Sequence, residues 1–173
     1  WGYNWVVMKI ALVDIGPFQF GALRTLFGAL VLFGLVVALR RPVRIIEMRA
    51  VALMGLLQTT GFTGLIILAL VSGGAGKTAV LAYTMPFWVM LLAWPLLGDR
   101  LHGWQWPSAV ATLVGLLCIL DPLHLAGDLL SSVLATLAGV CWALAVIVAK
   151  RLQARAPDLD VLAIAAWQSL IGA

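Results

Sequence analysis

Long apolar runs alternate along the chain with short charged or turn-forming segments, and the polar residues inside the runs are few enough to name. Trp1–Ile15 is the first run, closed by the tight turn Asp14-Ile-Gly-Pro17, and Phe18–Leu39 is the second, interrupted only by Arg24. Ala50–Val71 carries a polar band of Gln58, Thr59, Thr60 and Thr63, and the glycine-rich turn Ser72–Lys77 leads into a fourth run, Thr78–Leu97. Trp106–Leu120, Leu129–Ala149 and Val161–Ala173 follow, the last two separated by the basic connection Lys150–Asp160. None of these runs shows the polar stripe of a surface helix, and a helix apolar all round is either a deep core element or a membrane span. The fourth run has 20 residues without a charge from Thr78 to Leu97, about the number that crosses roughly 30 Å of hydrocarbon. The pattern therefore predicts an all-α membrane protein, a polytopic helix bundle with about seven spans. The first and last runs are cut short, which makes the sequence read as a piece of a longer protein.

Pro86 lies near the middle of the fourth run and cannot donate to the carbonyl one turn earlier, at Ala82. Unpaired backbone at membrane depth is tolerated only inside protein or beside water. The fourth helix is thus expected to bend at Pro86 towards a polar cavity, with Tyr83, Thr84 and Trp88 near the kink.

Composition agrees: 64% of residues are hydrophobic and 10% charged, against roughly 45–50% and about 25% in soluble domains. The net charge of +4 comes from short basic clusters between runs, which suits membrane topology and not nucleic-acid binding. If the connection after the second run is cytoplasmic, Arg40, Arg41, Arg44, Arg49, Arg100, Lys150, Arg151 and Arg155 all fall inside, and only Lys77 falls outside. Trp94, Trp104 and Trp106 then sit at the inner interface. Cys118 and Cys141 lie in apolar runs and read as packing residues. Ser72–Thr78, SGGAGKT, lacks the first glycine of a phosphate loop, since Val71 occupies that position, and a strand does not precede it. His102 and His124 fall on opposite sides, so no metal spacing is visible, and no nucleophile–base pair or carboxylate sits mid-span. No cofactor is expected, and an enzyme is disfavoured.

A repeat is also present. Trp1 and Lys9 recur as Trp142 and Lys150, both offset by 141 positions, and with a three-residue insertion Leu26-Phe-Gly-Ala29 matches Leu170-Ile-Gly-Ala173 with Arg24 opposite Gln168. The first and sixth runs become equivalent, so the unit has five spans and the second copy lies inverted, as in many transporters. With WGYNWVVMKIAL, PFQFGALR, the Pro86 helix ending in LLGDRL, LVGLLCIL and CWALAVIVAKRL in place, the chain resembles the EamA-type branch of the drug/metabolite transporter superfamily. The resemblance implies ten helices in inverted five-helix repeats, with residues 1–122 forming the first repeat and 123–173 the connection and start of the second. It also implies cytoplasmic termini and movement of small metabolites or drugs across the bacterial inner membrane. Gly98-Asp99 stands where the family usually has Gly-Glu.

The candidate solute-binding set is Asn4, Arg24, Gln58, Thr63, Tyr83, Thr84 and Trp88. Arg24 has two readings, a lining of the solute path or a structural pairing with Asp14 or a carbonyl, because intramembrane charges face a cavity or a partner. Lys9 reads as an interfacial anchor, and part of the Gln58–Thr63 band must join helices, since consecutive positions cannot all face one way. Ala111/Gly115 and Ala135/Gly139/Ala143 read as close packing. The partners implied are a small-molecule solute and membrane lipid, with no nucleic acid, and a homodimer stays open. The leading function is a secondary transporter or exporter of small organic metabolites or drugs. The alternatives are a non-transporting membrane scaffold, which needs no polar band, and an intramembrane enzyme, which needs an acid, base or metal set. Cysteines placed at Gly74 and Gly127 should react with an impermeant thiol reagent on intact cells and one at Val43 should not; the reverse pattern would invert the topology.

Overall fold

A computed structural model describes residues 2–43, 47–99, 102–120 and 129–173, without the side chains of residues 112 and 116–120. Trp1, Arg44, Arg100, the 121–128 connection with His124 and Gly127, and the Cys118 side chain lie outside it, and with them half of the Trp1/Trp142 match. The described residues form helices and turns and no strand. The helices are α1 (Gly2–Asp14), α2 (Pro17–Ala38), α3 (Met48–Ser72), α4 (Ala75–Leu97), α5 (Gln105–Leu120), α6 (Leu129–Arg155) and α7 (Val161–Ile171). Four of them, α2, α3, α4 and α6, are long and apolar enough to cross a membrane. The protein is a multi-pass membrane protein of helical bundle type.

Local chemistry sets the ends. Pro17 opens α2, where its missing N–H costs nothing. Asp160 caps α7 by accepting from the backbone N–H groups of Leu162 and Ala163, at 2.9 and 3.1 Å. Gly98 ends α4 in the left-handed region at φ 75°.

Two helices depart from the sequence expectation. α4 starts at Ala75, inside the expected turn, and breaks at Tyr83–Thr84, ahead of Pro86. The chain turns there and restarts at Met85, so Pro86 sits in the first turn of the second half, where an N–H is not needed. α6 continues through Lys150 to Arg155. Its last turns are held at the end of α4, where the Arg151 guanidinium donates to the Leu96 carbonyl and Lys150 Nζ lies 3.3 Å from Asp99 Oδ2.

α6 is the central helix, packed against α3 and both halves of α4, while α7 packs against α2 and α3. Its contact face is built of buried Ala135, Ala138, Gly139, Ala143 and Ala145, since small side chains let backbones approach where lipid offers no hydrophobic drive. A Cβ on Gly139 would lie 3.3 Å from Thr84 Oγ1 and Trp88 Cδ1, which places this glycine against the α4 break. Gly115 behaves otherwise: a Cβ there would meet nothing within 4 Å.

Along α3 the packing falls into three layers. Val51 and Met54 join Val36, Leu152, Ala163 and Ala166 in one apolar cluster. Ile66, Ile67 and Leu70 join Trp5, Met8, Ala82 and Ala138 in another. Between them, Gly55–Thr63 is π-helical, a rare i→i+5 winding often found at functional sites. It lies backbone to backbone with α7: a Cβ on Gly55 would come 2.7 Å from the Gln168 carbonyl oxygen, and one on Gly172 would come 2.3 Å from Thr59 Cβ. Gly55→Ala should therefore lower stability in detergent by about 1–3 kcal/mol, read as a reduced melting temperature. Gly34→Ala, where a Cβ meets nothing within 4 Å, should be neutral or slightly stabilising.

Candidate functional site

Between the two apolar clusters lies a cavity of about 300 Å³. Its wall comes from five helices: Asn4, Trp5 and Met8 of α1, Arg24, Thr25 and Gly28 of α2, Gln58, Thr59, Phe62, Thr63 and Ile66 of α3, Trp142 of α6, and Gln168 and Ser169 of α7. The wide turn of the π-helical stretch explains the division of labour within the polar band. It brings residues five apart to one side, so Gln58 and Thr63 both reach the cavity. Thr59 and Thr60 join α3 to α7, donating to the Gln168 carbonyl at 3.3 Å and the Gly172 carbonyl at 2.8 Å. Gln168 Nε2 donates across the cavity wall to Gln58 Oε1 at 3.0 Å.

At the α1–α2 side, Asn4 Nδ2 and Arg24 Nη1 both point to the Met8 thioether, at 3.4 and 3.5 Å from Sδ. Among the described residues no ion pair joins Arg24 to Asp14. Among the described residues no carboxylate lines the cavity.

The candidate residues thus divide. Asn4, Arg24, Gln58 and Thr63 share the cavity wall, whereas Tyr83, Thr84 and Trp88 do not line it. Tyr83 stands edge-on to Trp5, with ring centroids 6.4 Å apart. Thr84 donates to the Leu81 carbonyl at 2.6 Å and accepts from the Trp88 indole N–H at 3.1 Å. This pair knits the two halves of α4 across the break.

Lys9 faces away from the cavity and closes the end of α3. Its Nζ donates to the carbonyls of Leu70, of Val71 at 3.3 Å and of Gly73 at 3.0 Å. Ser131 Oγ adds a bond to the Ala69 carbonyl at 2.9 Å. A cation at the carbonyl end of a helix meets the negative end of its dipole. Cys141 packs, with its Sγ 3.3 Å from where a Gly61 Cβ would lie.

Sequence reasoning missed Trp5, Met8, Thr25, Phe62, Trp142 and Ser169. Two had a usable signal: Met8 lies one helical turn after Asn4, and Trp142 is the repeat partner of Trp1. A larger groove of about 830 Å³ opens where the second half of α4 diverges from α5, lined by Phe87, Met90, Asp99, His102 and Lys150 among others. It gathers its polar groups at one end, unlike the smaller cavity, where they come from helices on every side. Among the described residues no cluster of His, Cys, Asp or Glu could hold a metal ion.

The description of the EamA-like transporter family matches residues 1–121. The chain is 31% identical over 178 aligned positions to the uncharacterized transporter YoaV of Bacillus subtilis (strain 168), covering 100% of this chain and 60% of that protein. It is 28% identical to the uncharacterized transporter YvbV of the same organism, covering 95% of this chain and 54% of that protein. It is 26% identical to a protein of Escherichia coli (strain K12) named a probable amino-acid metabolite efflux pump, covering 99% and 56%. The chain spans only a little over half the length of these relatives. No solved structure gives a significant match.

Proposed function

Because the chain belongs to the EamA-like transporter family, we propose that it supplies the first repeat and part of the second of a secondary transporter or exporter in a bacterial inner membrane. Its cargo is a small organic solute, a metabolite or drug, and its path runs through the five-helix cavity. The observation that carries this reading is the cavity itself. Polar side chains from α1, α2, α3 and α7 converge between two apolar clusters, at a depth where each is costly unless it faces water, a partner or a solute. A scaffold would have no use for that arrangement, and the name of the Escherichia coli relative agrees with export of a small metabolite.

In this reading Asn4, Arg24, Gln58 and Thr63 meet the polar end of the solute, and Trp5, Phe62 and Trp142 enclose its apolar body. Tyr83, Thr84 and Trp88 act one step removed. Tyr83 buttresses Trp5, and the Thr84–Trp88 bond governs the break about which the halves of α4 can move. The inverted repeat fits the packing, since α1 and α6 both rest on α3 and α4, and α2 rests on its counterpart α7.

Arg24→Gln installs the residue found at the repeat partner and tests the site. In vesicles with the full-length protein, solute flux should fall at least tenfold while the melting temperature in detergent stays within a few degrees of wild type. Unchanged flux, or loss of folded protein in its place, would contradict the assignment.

A further inference from the structure

We propose that the groove between the second half of α4 and α5 holds a membrane phospholipid with a phosphoethanolamine headgroup, its ammonium on Asp99 and its phosphate on Lys150. The groove shares no lining residue with the solute cavity, so the site goes beyond the transporter reading and does not rest on it.

The groove is amphiphilic along its length. Phe87, Val89, Met90 and Ala93 line its apolar part, and Asp99, His102 and Lys150 gather at one end. Its wall on α4 runs from Pro86 to Gly98, about 18 Å at 1.5 Å per residue. Half of a hydrocarbon core about 30 Å thick is about 15 Å. The groove is thus about as deep as one leaflet, from the break in α4 to the end of that helix. Trp104 is 86% exposed and stands at the polar end, and indoles settle at the headgroup level of a bilayer. An acyl chain matches that depth, and a headgroup then falls beside the charged residues.

The polar end selects the headgroup. Asp99 Oδ2 and Lys150 Nζ are 3.3 Å apart, and their side chains are 59% and 53% exposed. An exposed ion pair contributes little stability, so each partner can take a second charge. A phosphoethanolamine holds an ammonium, with its three N–H donors, two carbons from a phosphate, and so meets both residues at once. An anionic headgroup without an ammonium would take Lys150 and leave Asp99 facing a phosphate. A choline has no N–H to give to the carboxylate. His102 lies at the same end and can add a ring N–H to the phosphate.

The test uses the full-length protein, stripped of lipid in detergent and titrated by native mass spectrometry. The probes are phosphatidylethanolamine, phosphatidylcholine and phosphatidylglycerol with identical chains. Phosphatidylethanolamine should bind at least fivefold more tightly than either of the others. Asp99→Asn should cut its preference over phosphatidylcholine to twofold or less, Asp99→Glu should keep it, and Lys150→Gln should weaken phosphatidylethanolamine and phosphatidylglycerol alike. Met90→Trp narrows the apolar part and should weaken all three at least threefold, with the melting temperature within a few degrees of wild type. A phosphatidylethanolamine with a photoreactive acyl chain should label residues 87–93, and unlabelled phosphatidylethanolamine should compete. Should Asp99→Asn fail to fold, the label and the Met90→Trp affinity decide. The site is overturned by equal binding of the three lipids, by a preference that survives Asp99→Asn, or by label that falls elsewhere. A groove filled by a second copy, or by another segment of the full-length chain, would give the last of these results.

Discussion

Two glycines, Gly55 on α3 and Gly172 just beyond α7, let two backbones approach so closely that any Cβ would collide. Beside that contact α3 changes its form. Thr59 and Thr60 turn to the carbonyls of α7, and the intervening stretch winds as a π-helix. Gln58 and Thr63 line the cavity from this stretch, and Thr59 does so while also bonding to α7.

The rest of the bundle shows how backbone groups are satisfied where water is scarce. Lys9 and Ser131 take the carbonyls at the end of α3, and Arg151 takes one at the end of α4. On the side of the α2–α3 connection, Asp160 caps α7 and also meets Arg41 at 3.3 Å, while the Trp167 indole donates to the Val43 carbonyl at 2.8 Å. Charged residues at span ends thus act as caps between helices. Arg24 stands apart from this group because its hydrogen bond ends on a sulfur atom.

Much of this was legible in the sequence, for a physical reason. Polar residues such as Asn4, Arg24, Gln58 and Thr63 are expensive within an apolar run, so each marks a place where something must compensate. Aromatic residues carry no such signal, and Trp5 and Phe62 read as ordinary apolar positions until the cavity is seen. The π-helical winding was illegible in local sequence, and the backbone it packs against lies more than a hundred residues away. Pro86 fixed that α4 would be interrupted but not how. A lost hydrogen bond can be absorbed by a bend or by a restart, and Gly139 on α6 packs where the restart occurs, with Thr84 and Trp88 turned to that contact.

The central claim is that the seam between α3 and α7 holds open a hydrated, solute-accessible cavity within the membrane. Thiol reactivity reports hydration directly, because only a thiol that can ionise reacts quickly. In the full-length protein with Cys118 and Cys141 replaced by alanine, Ser169→Cys places a thiol in the cavity wall, and Leu30→Cys places one on the exposed apolar face of α2. A small water-soluble methanethiosulfonate should modify Ser169→Cys at least tenfold faster than Leu30→Cys, and transported solute should slow the reaction. An inert thiol at position 169, or equal rates at the two positions, would contradict the account.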